Sequence, residues 1–127
     1  MRLLAIALSL NRIGFGLAYL VRPAQAGQGW IGRAAKDPAT QVFARGHGAR
    51  DLALGAGALV ALARGGKRAA RTWLVAQGIA DAVDVGSTLA AGRRLPASGR
   101  RFALAMAGAS TAVATAAALW LDRSAPD

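Results

Sequence analysis

Four apolar runs, each about twenty residues long, dominate this chain of 127 residues. They cover residues 3–21, 41–62, 72–91 and 102–121. An α-helix of that length rises about 30 Å, which matches the hydrocarbon thickness of a bilayer. The runs predict an all-α fold, a four-helix transmembrane bundle in which residues 1–127 form a single integral-membrane domain.

The composition of the runs favours membrane helices over the alternative, the core helices of a soluble protein. Trp73 begins the third run and Trp120 lies near the end of the fourth, as expected of tryptophan at a membrane surface. A soluble bundle needs polar outer faces, yet the only polar side chains in the fourth run are Ser110, Thr111 and Thr115. We therefore expect a multi-pass protein of the cell membrane, with the lipid bilayer as a partner.

The first run and the segment after it admit two interpretations. Pro23 ends the run, and residues 24–26 (Ala-Gln-Ala) are typical of the cleavage site of a secretory signal peptide. However, Asn11 and Arg12 interrupt the apolar stretch that a signal peptide needs, which favours a membrane span. Residues 27–40 are polar and rich in glycine, so they predict an interfacial loop with Trp30 at the headgroup boundary.

Positive charge is concentrated between the apolar runs. Lys and Arg outnumber Asp and Glu by 16 to 6, and the basic clusters at 64–71 and 93–101 would lie beside lipid phosphates. No aromatic interleaving or binding motif accompanies them, so nucleic acid is not an expected partner. The two sides of the bundle are almost equally basic, which leaves its orientation open, but four spans place both termini on one side.

The chain contains no cysteine and one histidine, His47. Disulfides, thiolate catalysts and Cys-based metal sites are therefore excluded, and the common multi-histidine zinc and haem sites are not expected. The sequence predicts no cofactor and no metal site. A divalent cation at paired aspartates would compete with nearby arginines.

Seven ionisable side chains fall within the runs, where each would cost at least about 2.5 to 3.5 kcal/mol at the bilayer centre. The cost implies that they face one another or water, and the equal numbers of arginine and aspartate predict mutual pairing. Arg45 lies near the end of its run, so contact with lipid phosphates is the alternative for it. The seven are Arg12, Arg45, His47, Arg50, Asp51, Asp81 and Asp84.

Helical spacing places most of these residues on polar stripes, because side chains three and four apart share a face. One stripe on the third helix contains Gln77, Asp81, Asp84 and Thr88, and another on the first contains Arg12 and Tyr19. Their central positions in the runs predict that they meet at similar depth. Glycine pairs flank this zone and predict close packing of the helices. These pairs are Gly14/Gly16, Gly46/Gly48 and Gly55/Gly57.

Three functions fit such a polar site, and whether the chain is an enzyme stays open. The first is binding or acid/base conversion of a hydrophobic small molecule among the first three helices. Its candidate catalytic residues are Asp81, Asp84 and His47, and its candidate binding residues are Arg12, Arg50, Asp51, Gln77 and Tyr19. The second is a structural or interaction protein whose ion network only fixes helix packing. The third is a proton-coupled transporter in which the aspartates alternate between protonation states.

The fourth run is rich in alanine, with small residues spaced four apart at Ala107, Thr111 and Thr115. This spacing lets helix backbones approach closely and predicts a packing helix. The same face is a candidate contact between two copies of the chain in a homo-oligomer.

A resemblance supports the topology. The run Gly46-His47-Gly48-Ala49-Arg50-Asp51-Leu52-Ala53-Leu54-Gly55, with Arg12 before it and Asp81-Ala82-Val83-Asp84 after it, resembles small four-helix membrane proteins common in actinobacteria. The likeness covers most of the chain. It implies four membrane helices and carries no activity over to this sequence.

Overall fold

The fold is all-α, as predicted, in a computed structural model that describes residues 1–123. The described residues form five α-helices. These are α1 (Arg2–Val21), α2 (Pro23–Ile31), α3 (Pro38–Ala63), α4 (Lys67–Ala91) and α5 (Ala97–Arg123). Short 3-10 turns at Gly32–Lys36 and Gly92–Arg94 join α2 to α3 and α4 to α5.

The predicted interfacial loop is wrong, because most of residues 27–40 are helical. Pro23 ends α1 but also begins α2, since proline fits the first turn of a helix, where its missing N–H is not needed. Asp37 then caps the start of α3: its Oδ1 accepts hydrogen bonds from Ala39 N (2.9 Å) and Thr40 N (3.1 Å). The four predicted runs correspond to α1, α3, α4 and α5, and the last three extend into their basic or polar flanks.

The four long helices run alternately up and down. At one end of the bundle, Arg2 at the start of α1 donates to Leu62 O at the end of α3 (3.2 Å). At the same end, Arg71 near the start of α4 pairs with Asp122 near the end of α5 (3.3 Å). The start of α1 and the end of α5 therefore lie at the same end.

Two layers fill the interior. The layer near that end is apolar and small, which brings the helices close together. It contains Ala5, Ala61, Leu62, Ala70, Leu74, Ala117, Ala118 and Leu121. The second layer, at mid-bundle, is polar, and α2 lies beyond it against the start of α5, where a side chain at Gly99 would clash with the backbone of Trp30.

Glycine permits a close crossing of α1 and α3. A Cβ at Gly16 would stand 2.6 Å from Leu52 N, and one at Gly55 would stand 2.6 Å from Ser9 O. Because these neighbours are backbone atoms, only glycine fits. The predicted close packing is confirmed for Gly16, Gly48, Gly55 and Gly57, whereas a Cβ at Gly14 or Gly46 would meet nothing within 4 Å.

Two helices, α1 and α5, are long and apolar enough to cross a membrane by length and composition. The helices α3 and α4 have 26 and 25 residues and are long enough, but charged side chains interrupt them. Four of these charged side chains, namely Arg50, Asp51, Asp81 and Asp84, turn toward the interior and build the site described next.

Candidate functional site

Arg12 lies at the centre of the polar layer. It is buried in α1 with 5% of its surface exposed, and its Nη1 donates to Asp51 Oδ1 of α3 at 2.9 Å. Its Nη2 pairs with Asp81 Oδ1 of α4 and lies 3.4 Å from Ser110 Oγ of α5. One guanidinium therefore ties together all four long helices, as its fork of five donors allows.

Arg50 forms a second junction beside the first. Its Nη1 and Nη2 donate to the two carboxylate oxygens of Asp84, at 3.2 and 2.7 Å, in a bidentate pair. Its Nε donates to Asp51 Oδ1 at 3.1 Å. Asp51 Oδ1 thus accepts from both arginines and joins the two junctions into one network of five charged side chains.

Ser110 completes the network from α5. Its hydroxyl donates to Asp81 Oδ2 at 2.5 Å, so both oxygens of that carboxylate are held. The alanine-rich sequence of α5 predicts a packing helix, and Ser110 is not among the predicted site residues. A single serine in an alanine-rich run gives no periodic signal, so only its position opposite Asp81 identifies it.

Gln77 lies one turn from Asp81, toward the apolar layer. It is fully buried, and its Nε2 donates to Leu54 O (3.1 Å) and lies 3.5 Å from Ser9 Oγ. Its Oε1 and Arg12 Nε are the two buried side-chain atoms without a hydrogen-bond partner among the described residues. Gln77 therefore links α3 and α4 beneath the network and does not line the cavity described below.

His47 lies on the far side of the network, between two aromatic rings. Its ring centroid is 4.9 Å from that of Tyr19 and 5.6 Å from that of Trp30, which meets it edge-on. Its Nε2 is 3.7 Å from Asp51 Oδ2, one helical turn away. Trp30, which the sequence placed at a headgroup boundary, also donates from Nε1 to Thr88 Oγ1 at 3.1 Å.

A cavity of about 280 Å³ lies in the groove between α1 and α5. Its floor is polar, and its walls and outer lip are apolar except for the exposed Asn11. Charged or polar atoms of the floor come from Arg12, His47, Asp51, Asp81, Asp84 and Ser110. Half-exposed or exposed apolar side chains form the lip, namely Phe15, Phe102 and Met106. Tyr19 and Trp30 close the end next to α2.

The structure brings together seven of the eight predicted site residues around this cavity or directly behind it. Arg12, Tyr19, His47, Asp51, Asp81 and Asp84 line it, and Arg50 lies behind Asp51 and Asp84. The cavity differs from the expectation in its walls, because α5 contributes more of the lining residues than α3 and α4 together, and α2 contributes Ala26 and Trp30. Arg45 is exposed and lies outside the network.

The chemistry of the network is that of ion pairs with further hydrogen bonds. Asp81 and Asp84 are held by different arginines, so the geometry offers each carboxylate a separate counter-charge. No group of three His, Cys, Asp or Glu side chains in residues 1–123 is arranged to hold a metal ion. Because Arg12, Asp51, Asp81 and Asp84 line the cavity, its floor presents charged atoms to the groove.

These features define a class: an all-helical protein with an interior charge network beneath an apolar groove. The chain belongs to the family described as a domain of unknown function, DUF4267, whose model matches residues 9–121. The match contains the whole network and every residue that lines the cavity except Leu8. No curated protein and no solved structure matches the chain.

Proposed function

We propose that this chain is a multi-pass integral membrane protein of the cell membrane, in which α1, α3, α4 and α5 cross the bilayer. The second part of the proposal is that its cavity binds a small molecule with an apolar body and a polar head. The observation that carries the proposal is the cavity itself, with charge at its floor and apolar side chains at its lip.

The distribution of side chains supports the membrane part of the proposal. Large apolar residues point outward on every long helix, among them Leu3 (80% exposed), Phe43 (79%) and Ile79 (61%). Arg12 and Asp81 are buried instead. In water this arrangement would be unfavourable, because it exposes apolar surface and buries charge. In a bilayer the apolar side chains face lipid and the charged side chains are kept away from it. It also explains how α3 and α4 would cross despite their charges.

The position of the groove supports the binding part. Its lip faces sideways, between two helices that would both touch lipid, so a molecule dissolved in the bilayer reaches it without crossing water. Ligand sites are mostly apolar, with a few polar groups that fix orientation, and this cavity has that composition. The small side chains of Ala103 and Ala107 leave the space open on the α5 side.

Three probes with a common benzyl body test the binding function: benzyltrimethylammonium, the uncharged neopentylbenzene and phenylmethanesulfonate. Equilibrium dialysis of the protein in dodecyl maltoside, against protein-free micelles, measures their affinities. Ala107→Phe fills the cavity from α5 and should abolish binding of every probe that the wild type binds. Ala105→Phe makes the same change on the exposed face of α5, outside the cavity, and should not. Failure of all three probes to bind the wild type would overturn the proposal.

A second candidate is a purely structural network, and the density of pairing favours it: every carboxylate of the network has an arginine partner. Buried ion pairs can fix helix register without any ligand. Under that function, Ala107→Phe would fill empty space and leave all measured properties except stability unchanged. The dialysis experiment therefore separates the two candidates.

A further inference from the structure

We infer that the cavity selects a small lipophilic cation, such as an ammonium group carrying an apolar body. The inference rests on the proposed binding function and adds the charge of the ligand's head. Two features carry it: the charge of the network, and the aromatic side chains around the cavity.

The network carries an excess of one negative charge. Two arginines face three aspartates, so with His47 neutral the five charged side chains leave one net negative charge. The third arginine that the sequence offered as a balance, Arg45, lies exposed outside the network. An uncompensated charge in apolar surroundings is costly, and a bound monocation would supply the missing charge.

The excess is directed at the cavity. Arg50 does not line the cavity, whereas Asp51, Asp81 and Asp84 do, with Arg12 as the single arginine beside them. A ligand in the groove therefore meets more negative than positive charge. Because the surroundings are apolar, this difference is screened less than it would be at a wet surface.

Aromatic rings supply the second attraction. Phe15, Tyr19, Trp30 and Phe102 all line the cavity. The negative face of an aromatic ring attracts cations, and sites for quaternary ammonium groups combine such rings with apolar contact. The walls can therefore hold the apolar body and the methyl groups of the head at once.

Arg12 is the feature that opposes the inference. Its Nε is buried without a hydrogen-bond partner and could attract an anion or a neutral oxygen. However, its two terminal nitrogens are already occupied by Asp51, Asp81 and Ser110. The positive charge of Arg12 is therefore paired within the network, and Nε offers a ligand one hydrogen bond but no free positive charge.

The three benzyl probes test whether the cavity prefers a cation, because they differ mainly in the charge of the head. We expect benzyltrimethylammonium to bind about tenfold more tightly than neopentylbenzene, and phenylmethanesulfonate to bind more weakly than both. Equal affinity of the cation and its uncharged isostere would overturn the inference and leave the proposed function standing. Tightest binding of the sulfonate would do the same, whereas no binding by any probe would overturn both.

A variant tests the charge argument directly. His47→Lys places a permanent positive charge next to Asp51 and balances the network, so the preference for the cation over neopentylbenzene should disappear. Gln41→Lys adds the same charge at the start of α3, outside the cavity, and should retain the preference. A preference that survives in His47→Lys would contradict the inference. The wild-type comparison stands independently of this variant's folding.

Discussion

At the scale of single residues, Arg12 and Asp51 connect the fold to the site. Each is buried, and each contacts a partner on another helix. Removing Arg12 would leave Asp81 charged and without an arginine partner in apolar surroundings, which costs more than an exposed ion pair is worth. The chain offers both kinds of pair and therefore an internal comparison.

Arg12→Ala should lower the free energy of unfolding by about 3 to 5 kcal/mol, because Asp81 would lose its arginine partner and Asp51 would keep only Arg50. Asp122→Ala breaks the exposed pair with Arg71 and should cost less than about 1 kcal/mol. Titration of the protein in maltoside with sodium dodecyl sulfate, followed by circular dichroism, measures both. Equal costs for the two substitutions would contradict a buried network.

The sequence predicts those site residues whose side chains differ clearly in polarity from their neighbours along the chain. Charges in apolar runs are rare, so Arg12, Asp51, Asp81 and Asp84 could be identified and their meeting at one depth predicted. Ser110 and Trp30 could not, because serine is tolerated anywhere in a membrane helix and tryptophan is common at its ends. Their roles depend on which helices are neighbours, and no periodicity within one helix contains that information.

At the scale of elements, the crossing of α1 and α3 depends on glycine. Gly16 and Gly14 lie on the same helix, yet the first faces the backbone of α3 and the second faces open space. Periodicity predicted glycine-mediated packing but not which member of each pair would make the contact. The rotation of each helix about its axis decides it.

Gly16→Ala should destabilise the protein by about 1 to 3 kcal/mol, because its Cβ would stand 2.6 Å from Leu52 N and 2.7 Å from Gly48 O, and α1 would have to move away. Gly14→Ala adds the same methyl group where nothing lies within 4 Å, so its stability should be unchanged or slightly higher. The same detergent titration compares the two. A harmless Gly16→Ala would show that the helices cross less closely than described.

The element that sequence reasoning missed is α2. Its glycine and glutamine content is typical of a loop, and its nine residues are too few for a clear helical period. Packing explains the helix: Gly27 lies against Ala35 and Tyr19, and Gly99 of α5 allows the backbone of Trp30 to approach. Tertiary contacts thus override a weak local preference, and they also bring Trp30 to the cavity.

At the scale of the whole molecule, a bundle that spans the membrane four times requires that the outer surface of all four long helices faces lipid. For α1 and α5 their apolar composition already favours this. The helix α4 is the decisive one, because it carries two aspartates and yet exposes Val75, Ile79, Val83 and Leu89. If α4 crosses the bilayer, its charges must turn inward and the network must be internal.

Spin labels on α4 measure this most directly. Because the chain has no cysteine, Ile79→Cys and Val83→Cys each introduce a single labelling site, and Arg68→Cys provides a reference near the start of the helix. Power-saturation electron paramagnetic resonance in liposomes compares collision with oxygen, which concentrates in lipid, and with a water-soluble nickel chelate. We expect labels at 79 and 83 to be accessible to oxygen and protected from nickel, with the reverse at 68. Labels at 79 and 83 that collide freely with nickel would place this face in water and contradict the membrane bundle.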